Sequence, residues 1–189
     1  MQSTGEVIGL HSDARVALAK ALLGASLVPP RAGEHGALAL ISVADRDKAL
    51  LPRLGRALDR AGYRLAATRG TARQLEAIGL PARLVSKVGQ PVGTDEESIL
   101  GLIASGEVRL VVNTPTPQSG AVRDAAEIRL TATAEGILCL TAIETAVAAA
   151  EALDPSIRAR LSEVRSLEEW VPEPASVRVH RAAVVGATA

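Results

Sequence analysis

Two hydroxyls flank a glycine in the segment ATRGT (67–71), where a run of strand character passes into one of helical character. Thr68 and Thr71 can offer their hydroxyls there, and Gly70 lets backbone N–H groups approach an anion at the positive end of a helix dipole. Such a turn suits a phosphate, although the same residues also read as an ordinary helix start in which Thr71 caps and Gly70 turns. Two lysines bear on the choice. Of 21 basic residues only three are Lys, at positions 20, 48 and 87, and the rest are Arg. Lys48 follows one predicted strand and Lys87 stands near the end of another, which puts both on the same edge as the threonines. A compact ammonium meets a phosphate as a point charge and needs no planar fork; the alternative is a pair of solvated surface lysines. Asn113 and Thr114 end a further predicted strand, where an amide and a hydroxyl either read a base or ribose or simply close the strand before Pro115.

Other reactive groups point away from bond-breaking chemistry. The acidic run TDEES (94–98) has the spacing of a capping box, Thr94 followed by Glu97, and acidic residues belong in a first helical turn. Glu107, Arg109, Arg123 and Arg129 read as solvated or rim charges. Cys139 sits inside an apolar strand, where a thiol behaves as a small hydrophobe. His11, His35 and His180 are far apart in sequence. They form no metal-ligand spacing and no nucleophile–histidine arrangement, so neither a metal nor a catalytic residue is expected.

These residues need a frame, and the chain alternates strand and helix signals. ALALISV (37–43) is a continuous apolar run, as expected of a parallel strand covered on both faces. A helical segment to about Ala61 follows, with Leu50, Leu51, Leu54 and Leu58 at helical spacing. Then come YRLAAT (63–68), a helix from Thr71 to Ile78 closed by Gly79, RLVSKV (83–88), and a helix from Asp95 to Ala104. VRLVVNT (108–114), a polar loop at 115–120, a helix over 125–135, ILCLT (137–141) and an Ala-rich helix to Leu153 complete the series. Five strands alternating with helices predict a doubly wound, Rossmann-like parallel sheet, which binds ligands at the carboxyl ends of its strands. Before it, Ser12 is placed to cap a helix whose stripe is Val16, Leu18, Ala19, Leu22 and Leu23. Pro29, Pro30, Gly33 and Gly36 then mark a linker. The expected division is a connector at 1–34, the α/β domain at 35–170 and a tail at 171–189. Within the domain's last stretch, a short helix and an edge strand are expected around EVRSLEEW.

Composition bounds the partners. The 21 acidic residues balance the 21 basic ones, which removes the broad basic field of a non-specific nucleic-acid binder. No apolar run approaches the roughly 18 residues of a membrane span, and the single cysteine fits a reducing compartment, so a cytoplasmic location is expected.

ISVADRDK, ATRGT, LVSKV and VVNTP also occur in the order and context of the carboxyl-terminal domain of the carbamoyl-phosphate synthase large chain, and the sequence resembles that methylglyoxal-synthase-like family. The likeness runs over residues 3–170: STGEVIG and LAKALLGAS resemble the segment joining the second ATP-grasp half to this domain, and LSEVRSLEEW resembles the family's last element. The resemblance implies a regulatory domain that binds a nucleotide monophosphate, UMP or IMP in type. It implies phosphate contacts from Thr68, Thr71 and Lys87, with Ser42, Lys48 and Asn113 completing the pocket; Ser42 enters only through this likeness. It further implies association with the ATP-grasp halves and the small glutaminase chain in making carbamoyl phosphate from bicarbonate, glutamine-derived ammonia and ATP, for pyrimidine and arginine synthesis. None of the ATP-grasp machinery is present in these residues. Pro115 stands where some members have a further hydroxyl, and Cys139-Leu140 where ornithine-activated members have Tyr-Asp. Two other readings stay open. Methylglyoxal synthase shares the fold but needs a carboxylate base, for which Asp95 is the loose match, and nearby histidines, which are lacking. A non-catalytic interaction module would use the stripe of the 12–25 helix.

Overall fold

The apolar run at 37–43 builds the middle of the sheet. A computed structural model of the protein describes residues 7–27, 29–30, 37–93, 96–115 and 119–170. In it β1 (Leu38–Ser42) lies between β2 (Arg64–Thr68) and β5 (Val108–Asn113). The sheet continues outward to β3 (Ala82–Ser86) and β4 (Glu97–Ser98) on one side and to β6 (Leu138–Leu140) on the other. All of these pairings are parallel. The order β4-β3-β2-β1-β5-β6 runs outward from β1 in one direction and then resumes on its other side. The strand order therefore reverses between β1 and β5, the position at which doubly wound sheets open a crevice.

Helices cover both faces: α1 (Ala14–Gly24), α2 (Leu51–Arg60), α3 (Arg69–Glu76), α4 (Ile99–Ala104), α5 (Ser119–Ala134), α6 (Ile143–Ala152), α7 (Pro155–Arg158) and α8 (Leu167–Trp170). A 3-10 segment, Asp45–Leu50, leads into α2. Successive residues of a strand face opposite ways, so β1 serves two cores at once. Ala39 and Ile41 pack with Leu54 and Leu58 of α2, Leu75 of α3 and Val147 of α6. Leu38 and Leu40 pack with Leu102 and Ile103 of α4 and Ile128 of α5. With no Phe in the chain, both cores are aliphatic. Tyr63 is the aromatic exception, and burial pushes its phenol up to about 12.

All five expected strands form, but the sheet has six. The addition is β4, two residues paired with Val85 and Ser86. Its presence overturns the expected helix start. Glu97 lies in that strand, and α4 begins at Ile99 with Ser98 as its cap, whose hydroxyl accepts from Gly101 N–H at 3.1 Å. Thr94 and Asp95 lie outside the described residues. Asp13, not Ser12, caps α1, its carboxylate accepting from Arg15 N–H at 2.9 Å. The stretch EVRSLEEW forms no strand, and residues 167–170 make one helical turn instead. Residues 31–36 and the tail at 171–189 also lie outside the described residues.

The connector helix is not left bare. Val16, Ala19 and Leu22 of α1 are buried in the core that α6 lines, with α7 alongside, while Leu23 stays partly exposed. At the far end of α3, Gly79 takes φ +81°, the left-handed conformation that closes a helix, and Leu80 N–H reaches back to Leu75 C=O at 3.0 Å.

The α2–α3 contact depends on a missing side chain. A Cβ on Gly55 would stand 2.7 Å from Leu75 Cδ2 and 2.9 Å from Leu80 Cδ1. Gly55→Val should therefore force α2 off α3 and cost about 1–3 kcal/mol, read as a lowered urea midpoint at unchanged slope.

Candidate functional site

Parallel register delivers the sequence-predicted residues to one edge. Ser42 pairs with Asn113, and Thr68 pairs with Val85, one residue short of Ser86. The carboxyl ends of β3, β2, β1 and β5 thus stand side by side. Thr68 is at once the last residue of β2 and the cap residue of α3, with extended backbone angles of φ −66° and ψ 151°. No side chain caps α3, so the first-turn N–H groups receive no hydroxyl or carboxylate. Thr71 occupies the third helical position and does not cap. The two threonine hydroxyls face each other at 3.4 Å and are buried, 3% and 1% exposed, where partners are normally required.

Lys48 completes this corner. It leaves the 3-10 segment, pairs with Asp45 at 2.5 Å, and brings its ammonium to 3.3 Å from where a Cβ on Gly70 would lie. A side chain at this position would push the lysine ammonium back by a few tenths of an ångström, so Gly70 leaves room for the close approach. Lys48 also holds the Asp45 carboxyl below the usual carboxylate range, first by its hydrogen bond and then by its charge, with a smaller contribution from Lys87. Lys87 itself is exposed and makes no ion pair among the described residues.

A cleft of about 130 Å³ opens beside this corner, lined by Ser42, Lys87, Asn113 and Thr114 among the expected residues. A second, more open hollow lies on the other side of Lys87 and includes Gly70, Arg69 and Arg73. Structure thus groups the seven residues in two sets. Ser42, Asn113 and Thr114 line the cleft, Thr68, Thr71 and Lys48 gather at the start of α3, and Lys87 stands at the border of both hollows. Asn113 is 4% exposed, and its Nδ2 has no hydrogen-bond partner among the described residues. A donor left unpaired in a protein interior costs about 1–3 kcal/mol, which a ligand acceptor would recover.

Thr114 has a different part. Its hydroxyl accepts from Ala44 N–H at 2.9 Å, and its own N–H donates to Ser42 C=O at 3.0 Å. Arg46 Nη2 adds a bond to Pro115 C=O at 2.7 Å. The loops after β1 and β5 are laced together across the crevice, and Thr114 acts as one of the laces. Three features escaped sequence reasoning: the Arg46 tie, the Asp124 carboxylate in the cleft wall, and the Arg69–Glu96 pair beside the second hollow. Charged residues in loops or on a helix face carry no spacing signal that would single them out.

The doubly wound α/β fold with its parallel sheet agrees with what comparison with known proteins shows. The MGS-like domain family matches residues 51–141. The carbamoyl phosphate synthase large chain of Thermomicrobium roseum is 42% identical over 153 residues, 81% of this chain. The chain carries an MGS-like domain of that synthase type. The match spans 14% of that relative's length. Two departures noted in sequence lie in this domain's frame: Pro115 gives only its carbonyl to Arg46, and Cys139 is a half-buried strand residue whose thiol is pushed up by burial. Among the described residues no helix is long and apolar enough to cross a membrane.

Replacing Thr114 by Val should leave the buried Ala44 N–H unpaired and cost about 1–3 kcal/mol in chemical denaturation, with Thr114→Ser restoring most of it. Arg69 holds the Glu96 carboxyl below its usual range, first by a hydrogen bond and then by charge. A depressed folded value stabilises above the unfolded range, about pH 4.3, and that contribution is lost as pH falls through the folded value. Melting temperatures taken between pH 7 and pH 3 should accordingly fall less steeply in Glu96→Gln than in the native protein.

Proposed function

We propose that this MGS-like domain is the effector-binding, regulatory part of a carbamoyl phosphate synthase large chain, and that its effector is a nucleotide monophosphate of the UMP or IMP type. The observation that carries the reading is the start of α3. Its first-turn amides receive no side-chain cap, two buried hydroxyls lack good partners, and Lys48 and Lys87 stand close by. A phosphate there would accept from the amides and hydroxyls and meet both ammonium groups. The adjoining cleft, with Ser42 and Asn113, would take the ribose and base.

In this reading the domain has no activity of its own. Its partners are the ATP-grasp halves and the small glutaminase chain, which together make carbamoyl phosphate from bicarbonate, ammonia and ATP. An effector acts by favouring one arrangement of the domain against the rest of the enzyme. Methylglyoxal release finds no support: the histidine among the described residues, His11, is held by Glu163 and by Asp13 N–H at 2.8 Å each.

Calorimetric titration tests the reading. UMP or IMP should bind saturably, and uridine, which lacks the phosphate, at least about tenfold more weakly, equivalent to about 1.4 kcal/mol. Thr68→Ala combined with Lys87→Ala should abolish the difference. Equal affinity for uridine and UMP, or binding unchanged by the double substitution, would overturn the assignment.

A further inference from the structure

Three cations border the second hollow, Arg69, Arg73 and Lys87, and one carboxylate, Glu96, stands among them. Arg73 and Lys87 make no ion pair among the described residues, so the carboxylate has settled on Arg69, its Oε1 accepting from Nη2. The pair is lopsided: the Arg69 side chain is 65% exposed and that of Glu96 only 7%. Arg69 lowers the pKa of the enclosed carboxyl by its hydrogen bond first and then by its charge, against the opposing effect of burial, with the Gly93 backbone and the Ser86 hydroxyl adding less. Glu96 is thus held on several sides, whereas the guanidinium, mostly in solvent, can turn. Arg69 is also the first residue of α3, between Thr68 and Gly70. Its side chain leaves the helix beside the amides to which the proposed function assigns a phosphate. Glu96 has set an anion within reach of the same turn.

We infer that Glu96 is a built-in rival of the ligand's phosphate: in the free protein its carboxylate occupies Arg69, and a bound phosphate takes Arg69 over. Arg69 is then a ligand-contacting residue, and Glu96 sets how tightly the corner holds an anion. The exchange costs little on one side, since an ion pair whose arginine lies in solvent contributes little. It is favoured on the other, because a phosphate monoester accepts two parallel N–H bonds from a guanidinium and carries more negative charge than a single carboxylate. After the exchange Glu96 keeps the Gly93 backbone and the Ser86 hydroxyl as polar neighbours, so it is not stranded. It stays close to the phosphate as a like charge, and its removal should therefore tighten binding. The inference rests on the proposed function, which supplies the phosphate.

The test is calorimetry on the full chain with UMP and inorganic phosphate as probes. Glu96→Gln keeps the size of the side chain and removes its charge, and it should tighten both probes at least about threefold. Arg69→Ala should weaken both at least about fivefold, and Arg69→Lys, which keeps the charge without the planar fork, should recover part of that loss. A readout on the native chain needs no variant: in nitrogen–proton correlation spectra the Arg69 Nε–H signal should shift saturably as UMP is added. The Arg83 signal, held by Glu97 and Glu107, should stay fixed. Affinity in Glu96→Gln that is no tighter than native means that the carboxylate is no rival. Native-like affinity in Arg69→Ala, or an Arg69 signal that stays still while UMP saturates the site, means that no exchange occurs. Each of these overturns the inference and leaves the proposed function standing. If the native chain and Glu96→Gln alike bind neither probe, the proposed function fails and the exchange fails with it.

Discussion

Parallel pairing of β1 with both β2 and β5 is the constraint from which the site follows. A parallel ladder sends every strand's carboxyl end to one edge and obliges the chain to return over a face before the next strand begins. Between β2 and β3 that return is immediate. Thr68 ends the strand and occupies the position before the helix without capping it, leaving no loop in which a side chain could turn back to satisfy the first amides of α3. The same register sets Ser42 beside Asn113 and brings the 3-10 segment with Lys48 over Gly70. Hydroxyls, amides and ammonium groups converge there because the backbone has one way to run.

The energetics of this edge differ from those of the two aliphatic cores. Ala39, Leu40 and Ile41 are fully buried and packed on both faces, so the frame is rigid. Above it, polar groups are held in place with less than full satisfaction: a long contact between Thr68 and Thr71, an orphaned amide on Asn113, and Lys48 engaged by an Asp45 side chain that is 92% exposed. A solvent-exposed ion pair of this kind contributes little, so Lys48 can turn to an incoming anion at little cost. Thr114 and Arg46 meanwhile keep the two crevice loops in register. A firm frame with under-satisfied polar groups at its rim is the arrangement expected of a preorganised binding site.

Much of this was legible in the residues themselves. Continuous apolar runs and helical leucine spacing revealed the five main strands and the helices between them, and strand ends named Thr68, Lys87, Asn113 and Thr114 directly. What stayed hidden has physical causes. Two residues cannot show strand periodicity, so β4 was invisible and Glu97 read as a capping residue, when it pairs in the sheet and its carboxylate meets Arg83. A threonine at a strand end looks the same whether its hydroxyl reads a ligand or laces a loop, and only the bond to Ala44 N–H separates the two for Thr114. The stripe of α1 was visible, but not whether it covers this domain or another surface; its burial beside α6 decides that. Asp124 lies on a long helix facing an apolar wall, a placement no local pattern encodes.

The central claim is that the uncapped start of α3 receives a phosphate. Amide resonances of Gly70 and Thr71, followed in a nitrogen–proton correlation spectrum while UMP is added, measure this most directly. Saturable shifts of both amides, reproduced by inorganic phosphate and absent with uridine, are the result this account requires. Amides of Gly70 and Thr71 that stay fixed while the nucleotide binds elsewhere would contradict it.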